Sequence, residues 1–319
     1  MPRFLLALIA LTLSFTLQAQ DWPARPVKIV APFAPGGTAD TLGRLIAKKL
    51  SDQLKESFVV ENRAGAGGVV GSEFVAKSPP DGYTLVISGI ASHVIAPHLA
   101  GGTPYDPLKD FTHIALLGGP PAVFAVDPSL PAKTLKEFVE LAKKEPGKLT
   151  YGSPGTGTQG QLVAEYFKRL AGINVVHVPY KGASQAVTDL MGGQINAVST
   201  TLTTAAGQIK GGRARALALS SSERLPDYAD IPTFAEQGYP DLVATVWFSL
   251  SGPAGLPQEI VDKLNAEVRR ALETSEVRAR LRHDGITPNR LDAKQFTAFV
   301  ADELRRWGPI VRASGAKKD

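Results

Sequence analysis

The chain has no cysteine. A disulfide, a thiolate nucleophile, a thiolate metal site and a lipid-bearing N-terminal cysteine are therefore all excluded, and stability must come from ordinary packed cores. Neither sign of charge dominates, with 35 basic against 30 acidic residues and a net charge of +5. The basic residues alternate with acids on helical patterns, as in Lys263, Glu267, Arg269, Arg270 and Glu273. That alternation reads as a solvated helix face and not as a nucleic-acid surface. Chemical motifs are missing too. Gly65-Ala66-Gly67-Gly68-Val69-Val70-Gly71 places its last glycine one residue late for dinucleotide binding, and no phosphate-binding P-loop occurs. Tyr151 stands where a nucleophile elbow around Ser153 would need glycine. The five histidines, His93, His98, His113, His177 and His283, have no metal-ligand spacing. His177 lies in an apolar run and reads as a structural histidine, so neither a cofactor nor a catalytic group is expected.

Long apolar runs are also scarce, and the one at the N-terminus is informative. Arg3 precedes an apolar stretch over residues 4–17, and Leu17-Gln18-Ala19 closes it with a small residue. The run is shorter than the roughly 20 residues a membrane-spanning helix needs, so residues 1–19 read as a cleaved export signal with the mature chain starting at Gln20. A periplasmic protein is expected. About 300 residues remain, more than one core usually holds, so two lobes are the default.

Along those residues, short apolar runs alternate with helical patterns. Strands are predicted over residues 27–31, 58–61, 83–88, 114–117, 123–126, 149–152, 175–179, 195–199, 214–219 and 246–251. Thr134 and Glu137 form a capping box, Pro146-Gly147 stops that helix, and Gly172 stops one starting near Thr158. Ile260, Leu264, Val268 and Leu272 share one helical face. Asp292 caps a last helix carrying Phe296, Phe299, Val300, Leu304 and Trp307 toward a core. The alternation predicts an α/β fold with mostly parallel sheets covered by helices on both faces. Ligands in such sheets sit at the carboxyl ends of the strands.

Five segments occupy that position. They are the turn Phe33-Ala34-Pro35-Gly36-Gly37-Thr38-Ala39-Asp40, the run Asn62-Arg63-Ala64-Gly65-Ala66-Gly67-Gly68, and the pair Ser88-Gly89. The others are Tyr151-Gly152-Ser153-Pro154-Gly155-Thr156-Gly157-Thr158 and Val178-Pro179-Tyr180-Lys181-Gly182. Each offers backbone N–H groups or hydroxyls where a helix begins, a neutral donor shell suited to a carboxylate. Asp40 is read as a first-turn acid favoured by the helix dipole.

Taken together these motifs resemble the Bug-type periplasmic receptors, the TctC-like solute-binding subunits of tripartite tricarboxylate transporters. Pro80-Asp81-Gly82-Tyr83-Thr84-Leu85, Tyr105-Asp106-Pro107, Gly192-Gly193-Gln194 and Gly252-Pro253-Ala254-Gly255 carry the likeness further, over essentially the whole mature chain. The resemblance implies a two-lobed "Venus flytrap", with residues 20–120 and 246–319 in lobe 1 and residues 121–245 in lobe 2. It implies a ligand carboxylate held by Phe33, Pro35, Gly36, Gly37, Thr38, Asp40, Ser88 and Gly89 of the first lobe. Opposite them stand Ser153, Gly155, Thr156, Gly157, Thr158, Tyr180, Lys181 and Gly182, with Thr200 and Trp247. Delivery to a membrane permease of one large and one small subunit is implied, and a monomer is expected.

Three positions depart from the family pattern. Thr200 stands where many relatives have Asp, Gln161 where a histidine is common, and Trp247-Phe248 is followed by Ser249. Without an Asp at 200 a ligand ammonium has no obvious partner, and burying it unpaired is costly. The expected ligand is a dicarboxylate, tricarboxylate, hydroxy acid or aromatic acid, with Phe33, Tyr180 and Trp247 available to cradle a ring. The alternatives are an amino-acid or amide receptor, or a ligand sensor for a membrane signalling partner.

Overall fold

A computed structural model describes residues 22–314. The proposed export signal lies outside the described residues. The strands are β1 (Val27–Ala31), β2 (Phe58–Asn62), β3 (Thr84–Gly89), β4 (Phe111–Gly118), β5 (Ala122–Val126), β6 (Thr150–Ser153), β7 (Val176–Pro179), β8 (Ala197–Thr201), β9 (Arg215–Leu219) and β10 (Phe248–Pro253). The helices are α1 (Thr38–Leu54), α2 (Val69–Ala76), α3 (Leu135–Lys144), α4 (Gln159–Ala171), α5 (Ala183–Met191), α6 (Leu202–Lys210), α7 (Gln258–Glu273), α8 (Ser275–His283) and α9 (Ala293–Ser314).

Two five-stranded sheets result, in the orders β2-β1-β3-β10-β4 and β7-β6-β8-β5-β9. The expected parallel character holds for strand direction, with one reversed strand in each sheet. β10 runs against β3 and β4, and β5 runs against β8 and β9. Both reversals have one cause. The chain leaves the first sheet at the end of β4 and enters the second at the start of β5, so β5 runs away from the cleft that its neighbours run toward. The return into β10 repeats this. The two crossings lie side by side, with the Val246 N–H donating to the Pro120 carbonyl at 3.0 Å and Pro121 bridged to Thr245.

Local signals explain the helix ends. Thr134 and Glu137 make their reciprocal capping box, and Gly172 closes α4 in the left-handed conformation. The Gln295 N–H donates to Asp292 Oδ1 at 2.7 Å, while Gln295 Oε1 accepts from the Asp292 N–H at 3.0 Å. On α9, Phe296, Val300 and Trp307 are buried, with Phe299 and Leu304 packed against the same core.

Several strands end one or two residues beyond the hydrophobic runs that predict them, because pairing with a neighbouring strand continues into polar residues. Thus β8 takes in Thr200 and Thr201, against Val123 and Ala122. After β3 the chain winds into a π-type turn over Ala91–Ile95, an element the sequence reading lacks.

Beneath the first sheet lies a buried polar cluster. Ser88 Oγ bonds Ser249 Oγ at 2.6 Å and Ser251 Oγ at 2.7 Å, and His113 Nδ1 lies 3.2 Å from Ser251 Oγ. Burial pushes His113 down to about 4, opposed in part by its bond to the Pro107 carbonyl. Burial, and then repulsion from His113, holds His93 well below the usual imidazole range. Both imidazoles are thus neutral when folded and bind protons near pH 6.5 once unfolded. The unfolded state then binds more protons, so stability is complete above about pH 6.5 and is lost as pH falls toward 4. His113 alone contributes roughly 3 kcal/mol to that loss. Thermal unfolding followed from pH 7 to 4.5 is expected to show a steep drop in midpoint, and His113→Gln a shallower one. Equal slopes would show that the acid sensitivity arises elsewhere.

Candidate functional site

The carboxyl ends of both sets of strands face each other across the cleft, and the lobes touch. Thr38 Oγ1 lies 2.6 Å from Thr201 Oγ1. Ser184 Oγ donates to the Pro35 carbonyl at 2.7 Å, and the Ala34 N–H donates to the Lys181 carbonyl at 3.3 Å. Two glycines make this approach possible. A Cβ on Gly67 would sit 2.8 Å from the Thr156 carbonyl oxygen, and one on Gly182 would sit 2.8 Å from Ala34 Cβ.

Between the lobes lies an inner cavity of about 50 Å³. Gly37, Thr38 and Ala39 line it from the start of α1, Thr158, Gln159 and Gly160 from the start of α4, and Ala183 from the start of α5. First-turn amides of a helix have no intrahelical acceptor, so three N-termini present donors and partial positive charge to one small space. Each such terminus stabilises a partly buried anion by up to about 2 kcal/mol. Gly89, Ile90, Ala91, Ser92, Thr201, Val246, Trp247 and Phe248 also line it, and among the described residues no side chain of either charge does. Phe33 and Pro154 separate this space from an outer cavity of about 280 Å³ that includes Gly155, Thr156, Tyr180 and Lys181.

Of the residues proposed from sequence, Phe33, Gly37, Thr38, Gly89, Thr158 and Trp247 line the inner cavity. Phe33, Gly155, Thr156, Tyr180 and Lys181 line the outer one. Pro35, Gly36, Gly157 and Gly182 are placed at the contact between lobes. Tyr180 donates its hydroxyl to Asp189 Oδ2 at 2.7 Å, and burial with that carboxylate pushes the phenol up to about 12. Trp247 is buried, donates its indole N–H to Glu303 Oε2 at 2.9 Å and meets Phe296 and Phe299 edge-on.

Four of the proposed side chains are engaged elsewhere or turned from the cavities. Ser88 belongs to the serine cluster under the sheet. Asp40 braces the first glycine turn: its carboxylate accepts from the Gly36 N–H at 3.0 Å, from Asn62 Nδ2 at 3.0 Å and from Arg44 Nε at 3.1 Å. Burial raises its pKa, but these bonds outweigh burial and hold the carboxyl below its usual range. Ser153 is fully buried, 2.7 Å from His177 Nε2. The sequence reading did not anticipate that serine–histidine pair. Ser153 lines neither cavity and also bonds the Gly155 carbonyl, so the pair fastens the turn before α4. Thr200 is buried with its hydroxyl unpartnered, and it is the adjacent Thr201 that reaches the cavity.

Thr201, Gln159 and residues 90–92 also line the inner cavity and are not among the candidates from sequence. A signal for Gln159 was present, since an N-cap at Thr158 makes it the first helical residue.

The glycine contacts give a direct test of closure. Gly182 has an extended backbone with φ of 174°, so a side chain there meets the opposite lobe without straining its own residue. Gly182→Val is expected to leave the unfolding midpoint within a few degrees. Small-angle scattering should show a larger radius of gyration, and affinity for any cleft ligand should fall at least about tenfold, the equivalent of 1.4 kcal/mol. Unchanged scattering and affinity would show that the lobes do not close through this contact.

Comparison with known proteins agrees with this architecture. The model of the tripartite tricarboxylate transporter family receptor matches residues 42–316. The protein BugT of Bordetella pertussis is 36% identical over 302 residues, covering 94% of this chain and 93% of its own. The solved structure of R. palustris Rpa4515 with adipate is 34% identical, with a TM-score of 0.90 over 93% of this chain and 99% of that one. MatC from Rhodopseudomonas palustris with bound malate is 33% identical, with a TM-score of 0.86 over 91% and 100%. Sequence, fold and cleft therefore agree: the chain belongs to the TctC family of periplasmic solute-binding receptors, of the Bug type.

Proposed function

We propose that this receptor captures a small organic acid between its lobes and delivers it to a permease of one large and one small membrane subunit. The observation that carries the proposal is the convergence of three helix N-termini on one small space with no charged side chain in its wall among the described residues. A carboxylate fits those donors. An ammonium would face the positive ends of three helices with no carboxylate to meet it, which weighs against amino acids. That related receptors were solved with adipate and with malate supports the same class.

In this reading residues 20–120 and 246–319 form one closing unit and residues 121–245 the other, after export and removal of residues 1–19. Phe33, Gly37, Thr38 and Gly89 of the first unit receive the carboxylate with Thr158 and Thr201 of the second. Tyr180 and Lys181 flank the remainder of the ligand in the outer cavity. Ligand bonds both units only when they are closed, so closure follows from differential affinity and needs no covalent step.

Native mass spectrometry of gently purified protein, followed by a thermal-shift panel, tests this. A cognate acid at 100 times its Kd adds roughly 2.7 kcal/mol. The midpoint should rise by several degrees for dicarboxylates, hydroxy acids or aromatic acids, while aspartate and glutamate leave it unchanged. Stabilisation by amino acids alone would overturn the reading.

A further inference from the structure

One residue of the inner cavity wall carries a buried polar group whose needs a carboxylate alone does not meet. Gln159 is the first residue of α4, 2% exposed, and part of the cavity wall. Neither Oε1 nor Nε2 of its amide has a hydrogen-bond partner among the described residues. Exchanging the two atoms does not help, because both positions are unpartnered. The neighbouring Gln161, by contrast, is committed, its Oε1 accepting from the Gly157 N–H at 2.7 Å. A buried amide with an unmet donor and an unmet acceptor carries a desolvation penalty that a ligand can relieve only by offering both an acceptor and a donor.

The space limits what that ligand group is. A cavity needs about 10–15 Å³ to hold one water, so the inner cavity of about 50 Å³ holds a group of roughly three to five heavy atoms. A carboxylate and the carbon bearing it fill most of that. What remains is one more small substituent next to the carboxylate, within reach of Gln159. A plain second carboxylate does not fit the role, since it accepts but does not donate and would leave Oε1 facing another acceptor. A keto oxygen has the same fault. A hydroxyl both donates and accepts.

We propose that Gln159 selects 2-hydroxycarboxylic acids. The carboxylate meets the three helix N-termini, the 2-hydroxyl donates to Gln159 Oε1 and accepts from Nε2, and the rest of the ligand passes Phe33 and Pro154 into the outer cavity. This rests on the carboxylate reading above and adds to it the identity of the headgroup and the residue that reads it.

Isothermal titration with matched pairs tests it: malate against succinate, 2-hydroxyadipate against adipate, and lactate against propionate, with the 2-oxo acid as a third member of each set. In the native protein the hydroxy acid of at least one set is expected to bind ten times or more tighter than its deoxy and oxo partners. Gln159→Met, close in size, is expected to bring that ratio to within about twofold, mainly by weakening the hydroxy acid. Gln159→Leu serves as a second variant, and the unfolding midpoint of each ligand-free variant reports whether it folds. A native protein that binds deoxy and hydroxy acids equally would overturn the assignment while leaving the carboxylate reading intact. So would a folded Gln159→Met or Gln159→Leu that keeps the native preference. If no acid of these sets or of the thermal-shift panel binds, the carboxylate reading itself fails, and the assignment falls with it.

Discussion

The lobes meet backbone to backbone, and the site depends on that approach. The proposed carboxylate recognition through first-turn amides requires helix N-termini from opposite lobes to reach one group of a few atoms. Side chains at the seam would keep them apart. Gly67 against the Thr156 carbonyl and Gly182 against Ala34 leave no room for a Cβ, so these positions set how far the cleft can shut. The hydroxyl pair Thr38 and Thr201, and the bond from Ser184 to the Pro35 carbonyl, then fix the register of one lobe on the other. None of these contacts involves a charge that salt would screen.

The topology puts the donors there without any special loop design. Four strands in each sheet run toward the cleft, and the helices after β1, β6 and β7 begin where those strands end. Their N-termini therefore point into the cleft as a consequence of strand direction. The single reversed strand in each sheet is the one that receives the chain from the other lobe. Because both crossings lie together, with Val246 bonded to Pro120, the lobes are joined along one edge, as hinge closure around a ligand requires. Asp40 has a supporting place in this scheme. By gathering the Gly36 N–H, Asn62 and Arg44 on one carboxylate, it holds the first turn in shape and leaves the amides at the start of α1 pointing outward.

Much of this was legible in the sequence. Gly36-Gly37, Gly155 to Thr158 and Tyr180-Lys181-Gly182 announce strand ends that open helices, and capping residues such as Thr134 and Asp292 locate helix starts by local chemistry alone. Which side chains line the cavities was harder to read. Ser88, Ser153 and Thr200 are polar residues at the right strand ends, yet alternate residues of a strand point to opposite faces, and a one-residue shift of register reverses the choice. β8 shows it: the run over residues 195–199 suggests a strand, pairing carries it on to Thr201, and Thr201 takes the position in the wall assigned to Thr200. The Ser153–His177 contact was likewise hidden, because residues on neighbouring parallel strands meet only once the register is known.

The charge-free wall also bears on how such a receptor lets go. A buried lysine or arginine would bind an acid tightly but would have to remain desolvated whenever the lobes shut without one, a penalty of several kcal/mol. Backbone amides and a neutral glutamine impose a smaller penalty of the same kind. When the lobes shut without a ligand, the uncapped first-turn amides and the Gln159 amide lose the water that solvates them in the open form. In the proposed function, closure is therefore disfavoured until a carboxylate satisfies both lobes together, and the ligand can shift the equilibrium only by that difference. Opening the lobes returns every donor to water at modest cost. A binding protein that must surrender its cargo to a membrane partner needs a gap of that size, which neutral donors supply and a buried ion pair would exceed.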